Sequence, residues 1–207
     1  MTDQEPRAAP ALRGVRVLEL GTLIAGPFCA HLLADHGAEV IKVEPPGQGD
    51  VMRQWGGVYK GLGMYWPLIA RNKLGITLDL RQPRGQALLR QLVRHVDIVV
   101  ENFRPGTLER WGLGYEVLSA ENPGLILVRV SGYGQTGPYR DKAGFGAIGE
   151  ALGGLRYVTG EPGRPPVRPG VSLGDMLAAL FGCLGALMAL HARDGRQGSG
   201  RGQVIDV

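Results

Sequence analysis

The sequence is short of the residues that most often mark chemistry. Its 207 residues hold two cysteines, Cys29 and Cys183, and four histidines, His31, His36, His95 and His191. The cysteines lie far apart in apolar surroundings, and the histidines fall on predicted helices at no metal-ligand spacing, so no metal site is expected. Serines are few, and Ser131 in Val-Arg-Val-Ser-Gly-Tyr-Gly lacks the G-x-S-x-G turn that exposes a hydrolase nucleophile. Residues 176–190, a stretch without a charge, fall short of the ~20 residues that span a bilayer, and no charged-then-apolar leader opens the chain. A net charge of +4 is spread along the chain without a basic run. Nucleic-acid and membrane partners are therefore not expected, and buried, reduced thiols in a cytoplasmic protein are.

Glycine, by contrast, is abundant: 34 residues of 207, well above the usual ~7%, and without a fixed period. Many tight turns and close backbone approaches follow, whereas collagen-like structure and repeats do not. With 44% hydrophobic and 20% charged residues, the chain has the composition of a soluble globular domain.

Residues 1–11 carry two prolines, mixed charge and no periodicity, and are expected to be a mobile tail ahead of a single domain over 12–207. Residues 15–20 (VRVLEL) read as a buried strand, 21–27 as a turn and 28–35 as a helix stopped by Gly37. Residues 38–43 then supply a second strand, and the unit is a βαβ crossover that places the two strands parallel. Strands at 76–80, 97–100 and 125–130 and a helix at 85–95 continue the pattern, which predicts an α/β fold with a Rossmann-like, doubly wound, mainly parallel sheet. A glycine-rich loop follows Gly132, then a Pro-rich segment at 161–170, a buried core helix at 176–190 and a final strand at 203–207.

Candidate chemistry gathers where such folds bind ligands, beyond the carboxyl ends of the strands. Gly21, Gly26 and Glu44 occupy the places of a dinucleotide turn and its ribose-binding acid. The spacing, however, is neither G-x-G-x-x-G nor a P-loop, because Pro27 stands where the phosphate-binding lysine would be. Arg104 and Arg110, six residues apart after a strand end, offer two guanidinium forks to an anion, or are ordinary surface arginines. Asp175 precedes the longest apolar helix. It is read either as an N-cap or as a nucleophile able to attack an activated acyl group, with helix N–H groups steadying the developing oxyanion.

Eight segments in this order carry a resemblance. They are Leu12-Arg13-Gly14-Val15-Arg16-Val17-Leu18-Glu19, Ala25-Gly26-Pro27, Gly37-Ala38-Glu39-Val40-Ile41-Lys42-Val43-Glu44, Gly49-Asp50-x-x-Arg53, Asn72-Lys73, Glu101-Asn102-Phe103-Arg104-Pro105-Gly106, Ser131-Gly132-Tyr133-Gly134-Gln135-Thr136-Gly137-Pro138 and Gly174-Asp175. From Leu12 to Val207 the chain resembles the class III CoA-transferases, which include formyl-CoA, carnitine and bile-acid CoA-transferases. The resemblance implies an enzyme that moves CoA from an acyl-CoA to a free carboxylate through anhydride and thioester adducts on one aspartate, matched here by Asp175. The family's CoA-holding positions fall on Ile24 and Ala25, on Leu78 and Arg81, on Asn102, Phe103 and Arg104, and on Arg110. Coenzyme A enters as a substrate, and no permanently bound cofactor or metal is implied.

Pro45 and Ala143 stand where some members carry a basic CoA contact, and Ile24 stands where the formyl-CoA enzyme has glutamine, which argues against formyl or oxalate specificity. Residues 143–154 look most like members acting on small dicarboxylates. The related acyl-CoA racemases pair the aspartate with a histidine that would align with Phe145, a residue unable to shuttle a proton. Family chains are much longer, continue into a second, smaller domain and form interlocked homodimers, so the resemblance covers the N-terminal part of the large domain. The alternatives are a racemase of the same fold, a CoA-binding fragment without catalysis, and an oxidoreductase built on Gly21, Gly26 and Glu44.

Overall fold

The structure is a computed structural model that describes residues 9–207, so most of the tail expected at residues 1–11 lies outside the described residues. In chain order the elements are β1 (Arg16–Glu19), α1 (Ala25–Asp35), β2 (Glu39–Glu44), a 3-10 turn (Val51–Gln54), β3 (Val58–Tyr59), β4 (Leu62–Gly63), α2 (Trp66–Ala70) and β5 (Lys73–Thr77). Then come α3 (Pro83–Val93), β6 (Ile98–Glu101), α4 (Thr107–Arg110), α5 (Tyr115–Glu121), β7 (Ile126–Arg129), α6 (Gly146–Leu152), α7 (Leu173–Asp194) and β8 (Val204–Asp206). β3 and β4 pair as a separate antiparallel hairpin, and the other strands form a 6-stranded sheet in the order β5-β2-β1-β6-β7-β8. Every pairing in that sheet is parallel. This is the expected doubly wound α/β fold, with the strand order reversing between β1 and β6.

A parallel sheet must be covered on both faces, and its strands alternate accordingly. Val17, Val40, Ile98, Val100, Ile126 and Val128 pack under α1 and α7, while Leu18, Val99 and Leu127 pack against Leu89 and Val93 of α3, Leu108 of α4 and Leu118 of α5. α7 can lie close because small residues face the sheet. A Cβ on Gly182 would stand 3.1 Å from Val128 Cγ1 and 3.3 Å from Cys29 Sγ.

Some elements differ from the sequence reading. α1 begins at Ala25, taking in Gly26 and Pro27, because proline is well placed in a helix's first turn, where its missing N–H has no partner to lose. β5 lies at Lys73–Thr77 instead of 76–80, with Val40 to Glu44 opposite Lys73 to Thr77. Leu80, the most apolar part of the predicted strand, turns into the α3-side core instead. The helix read at 176–190 runs for 22 residues, Leu173–Asp194, long and apolar enough by length and composition to cross a membrane. Only one flank is buried. Leu177, Leu180, Phe181, Leu184 and Met188 are exposed, because a sheet covers one side of a helix and nothing in the described chain covers the other.

Candidate active site

At the switch point, the turns after β1 and β6 diverge and leave a crevice. The Asn102 amide bridges them: Thr22 N–H donates to its Oδ1 at 2.8 Å, and its Nδ2 donates to the Thr22 carbonyl at 2.9 Å. Gly21 and Gly26 make room for that amide, since a Cβ would stand 2.7 Å and 3.1 Å, respectively, from Asn102 Oδ1. Leu23, between them, adopts a left-handed φ of 63°, a strained conformation for a residue with a branched side chain. Its N–H donates to Asp50 Oδ1 at 3.1 Å, which holds the turn in place.

The crevice deepens into a cavity of about 320 Å³. Thr22, Leu23, Ile24 and Ala25 line it from the β1 turn, Asn102, Phe103, Arg104 and Pro105 from the β6 turn, and Val130, Ser131 and Gly132 from the end of β7. Lys142, Gly144, Phe145, Gly146 and Gly149 close it from the glycine-rich segment and α6, and Gly174, Asp175 and Ala178 from α7. The structure thus brings Ile24, Ala25, Asn102, Phe103, Arg104 and Asp175 to one cavity. It does not bring Leu78, Arg81 or Arg110 there. Leu78 lines a separate hollow with Ile76, Thr77, Leu88, Gln91, Leu92 and His95. Arg81 is exposed and paired with Asp79 at 2.9 Å, and Arg110 is exposed and donates to Thr107 Oγ1 at 2.9 Å.

Asp175 sits within the first turn of α7, after the N-cap position at Ser172, so the N-cap reading of this residue is overturned. No side chain among the described residues donates a hydrogen bond to its carboxylate. Burial pushes the carboxyl above the ordinary aspartate range; Arg168 opposes that and the charge of Glu150 adds to it. The wall opposite is as thin as a backbone permits. A Cβ on Gly146 would collide with the Asp175 carboxylate, one on Gly174 would stand 2.6 Å from the Gly146 carbonyl oxygen, and one on Gly132 would stand 2.5 Å from Gly144 Cα. Gly146→Ala is therefore expected to displace the carboxylate and slow any reaction at it by ~10²-fold while the far-UV spectrum stays that of the parent. Unchanged reactivity would show that Asp175 does not react from this position.

Buried charges hold the strand ends that carry the site. Lys42 Nζ lies 2.6 Å from Glu19 Oε1 and 2.7 Å from Asp50 Oδ2 and donates to the Gly21 carbonyl at 3.0 Å, while Lys73 Nζ lies 2.6 Å from Glu19 Oε2. Burial alone would depress the Lys42 ammonium, but Glu19 and Asp50 more than offset it, and its net direction is up. Lys73, buried with only Glu19 beside it in ion-pair contact, is pushed down by burial. Across the switch point, Arg129 donates to Glu101 at 2.7 Å and to Glu109 at 2.6 Å, and Glu101 accepts the Phe103 N–H at 2.7 Å, which shapes the β6 turn.

Glu44 is committed in the same way. It accepts Arg53 Nε at 2.7 Å, Arg53 Nη2 at 2.8 Å and the Asp50 N–H at 2.8 Å. The dinucleotide alternative needed Glu44 free for a ribose and Gly21 and Gly26 open to a pyrophosphate. Glu44 is tied down and the two glycines seat Asn102, so that reading is overturned.

Sequence reasoning missed Lys142, Glu150 and Arg168. Lys142 lines the cavity with its ammonium 3.6 Å from the centre of the Tyr139 ring. Glu150 is buried beside Asp175, and Arg168 Nε lies 3.6 Å from Glu150 Oε2. The one available signal was a carboxylate within the apolar, glycine-rich stretch at 143–154.

Comparison with known proteins identifies relatives of the whole described fold. The chain is 66% identical over 208 residues to the succinyl-CoA–D-citramalate CoA-transferase of Chloroflexus aurantiacus, covering 100% of this chain and 50% of that protein. It is 50% identical to the beta subunit of the succinyl-CoA–L-malate CoA-transferase of the same organism, covering 95% of this chain and 48% of that one. The chain therefore spans about half the length of the curated relatives it matches. Among solved structures, a CAIB/BAIF family protein from Brucella suis superposes with a TM-score of 0.88 at 41% identity, covering 95% of this chain and 52% of that one. The sequence pattern of CoA-transferase family III matches residues 12–207, from the first turn before β1 to the end of β8, and the chain belongs to that family.

Proposed function

We propose that this chain carries the nucleophile and part of the CoA site of an enzyme that transfers CoA from an acyl-CoA to a small carboxylic acid, with a dicarboxylate as acceptor. The observation that carries the reading is the place of Asp175: half-buried on the cavity wall at the sheet's switch point, with no side-chain donor among the described residues engaging its carboxylate. Relatives named for succinyl-CoA, D-citramalate and L-malate support the dicarboxylate class.

In the proposed reaction, Asp175 attacks the thioester carbonyl and expels CoA thiolate, leaving a mixed anhydride. The thiolate then attacks the aspartyl carbonyl, releases the donor acid and leaves an aspartyl–CoA thioester. The acceptor carboxylate repeats the two steps in reverse, and no water is consumed. Ile24, Ala25 and Phe103 would flank the thioester end, and Arg104, with Arg110 further out on the same side, would meet phosphate oxygens. Leu78 and Arg81, off the cavity, would serve only a part of CoA that extends past β5. Phe145 on the cavity wall offers no second proton carrier, which disfavours racemisation. With this function we propose a homodimer, supported by the exposed apolar flank of α7, and a cytoplasmic location, supported by two free cysteines.

Intact-protein mass spectrometry after mixing the chain with succinyl-CoA and quenching with hydroxylamine or borohydride tests the reading. Modification at Asp175 in the parent and none in Asp175→Ala is expected. No modification of the parent, or equal modification of both, would refute the covalent route.

A further inference from the structure

We propose that Glu150 is the positioning residue of Asp175: it pins the first turn of α7 through the Gly174 amide and holds a second negative charge beside the nucleophile, favouring the covalent adducts over the free carboxylate. The inference rests on the covalent reading above.

Glu150 belongs to α6, and only 3% of the residue is exposed. Its Oε1 accepts the Gly174 N–H at 3.1 Å. Ser172, at the N-cap of α7, makes no side-chain cap, so a carboxylate from a neighbouring helix satisfies an amide that the helix's own cap leaves free. α6 can approach this closely because Gly146 and Gly174 meet there without side chains. Glu150 Oε2 has no hydrogen-bond partner, and Arg168, about half exposed, is 3.6 Å away. A buried, half-satisfied carboxylate is costly, whereas a neutral acceptor would hold the Gly174 amide at less cost. The negative charge therefore has its effect on its neighbour.

Two charged groups act on Asp175, Glu150 from α6 and Arg168 from the segment before α7, and Lys142 from the segment before α6 and Arg104 from the β6 turn line the same cavity. In the proposed cycle Asp175 is an anion only when free, and it is neutral as anhydride or thioester. In the adducts that charge has passed to the CoA thiolate or to the released donor carboxylate, neither of which is fixed to α7 beside Glu150, so repulsion from Glu150 weighs most on the free Asp175 carboxylate and shifts the balance toward the adducts. The upward push that Glu150 exerts on the Asp175 carboxyl is the same effect seen in protonation.

The test compares the parent chain with Glu150→Gln, which keeps an acceptor for Gly174 and loses the charge, and Glu150→Ala, which loses both. Carbon-13 NMR of labelled aspartate follows the Asp175 titration, amide exchange follows Gly174, and mass spectrometry follows the adduct fraction with succinyl-CoA. Glu150→Gln is expected to lower the Asp175 midpoint by ~0.5 pH unit or more and the adduct fraction by ~3-fold, with Gly174 still protected. Glu150→Ala is expected to add faster exchange at Gly174. An unmoved midpoint in Glu150→Gln overturns the charge role, and unchanged Gly174 protection in Glu150→Ala overturns the pinning role. A parent that forms no adduct refutes the covalent reading instead, and the titration still decides what Glu150 does to Asp175. If the alanine variant does not fold, the near-isosteric glutamine variant decides the charge role alone.

Discussion

With Asp175 replaced by alanine or asparagine, CoA transfer is expected to fall by at least ~10³-fold and no covalent adduct to form. Neither substituent can attack a thioester, and among the described residues no second carboxylate lines the cavity to take over. The burial of Asp175 also makes its ionised form costly. Its carboxyl is held above the ordinary 3.8, so the folded chain binds this proton more tightly than the unfolded chain does. The ionised group therefore destabilises the fold at neutral pH, and that cost vanishes as pH falls below the unfolded value. Asp175→Asn should thus raise the melting temperature at pH 7, with the gain closing toward pH 3.8. The rate of adduct formation in the parent should fall with decreasing pH through a midpoint above that of an exposed aspartate. An inactive asparagine variant no more stable than the parent at neutral pH would contradict the account of Asp175 as a desolvated anion.

Lys42→Met is expected to cost about 3–5 kcal/mol of unfolding free energy. The ammonium is 2% exposed and lies between two carboxylates, Glu19 at 0% and Asp50 at 1%. Methionine fills most of the volume but leaves both anions buried, and only Lys73 remains to pair with Glu19. The loss extends to the site, because Lys42 also donates to Gly21, and Asp50 holds the strained turn at Leu23. The midpoint of urea unfolding measures the first effect and adduct formation the second. A cost under about 1 kcal/mol, the range of an exposed pair, would mean that water reaches the network. By contrast, Arg81→Ala removes a pair on an exposed side chain and should leave the urea midpoint where it is in the parent.

The fold was legible because strands buried on both faces read as short apolar runs, and those at 15–20, 97–100 and 125–130 were placed within a residue or so. β5 was misplaced because its sequence, KLGIT, is exposed along an edge and carries little apolar signal, whereas Leu78 and Leu80 beyond it are drawn inward and imitate a strand. Asp175 was legible as one carboxylate at the start of a long apolar helix, yet its N-cap and nucleophile readings could not be separated along the chain. Only the turn of α7 that begins at Leu173 placed it inside the helix and on the cavity wall.

The sequence by itself determined the parallel α/β architecture, the strand ends that border the crevice and the choice of Asp175 as the candidate carboxylate, since these depend on local periodicity and on residues near one another in the chain. Tertiary structure alone decided that Glu19, Lys42, Asp50 and Lys73 are interior charges, that Glu44 and the glycines at 21 and 26 are already occupied, and that Glu150 and Arg168 stand beside Asp175. A charged residue at a strand end looks like surface until its counter-ion, tens of residues away, is folded against it. The electrostatics of the site is therefore a property of packing between distant segments, which no local pattern encodes.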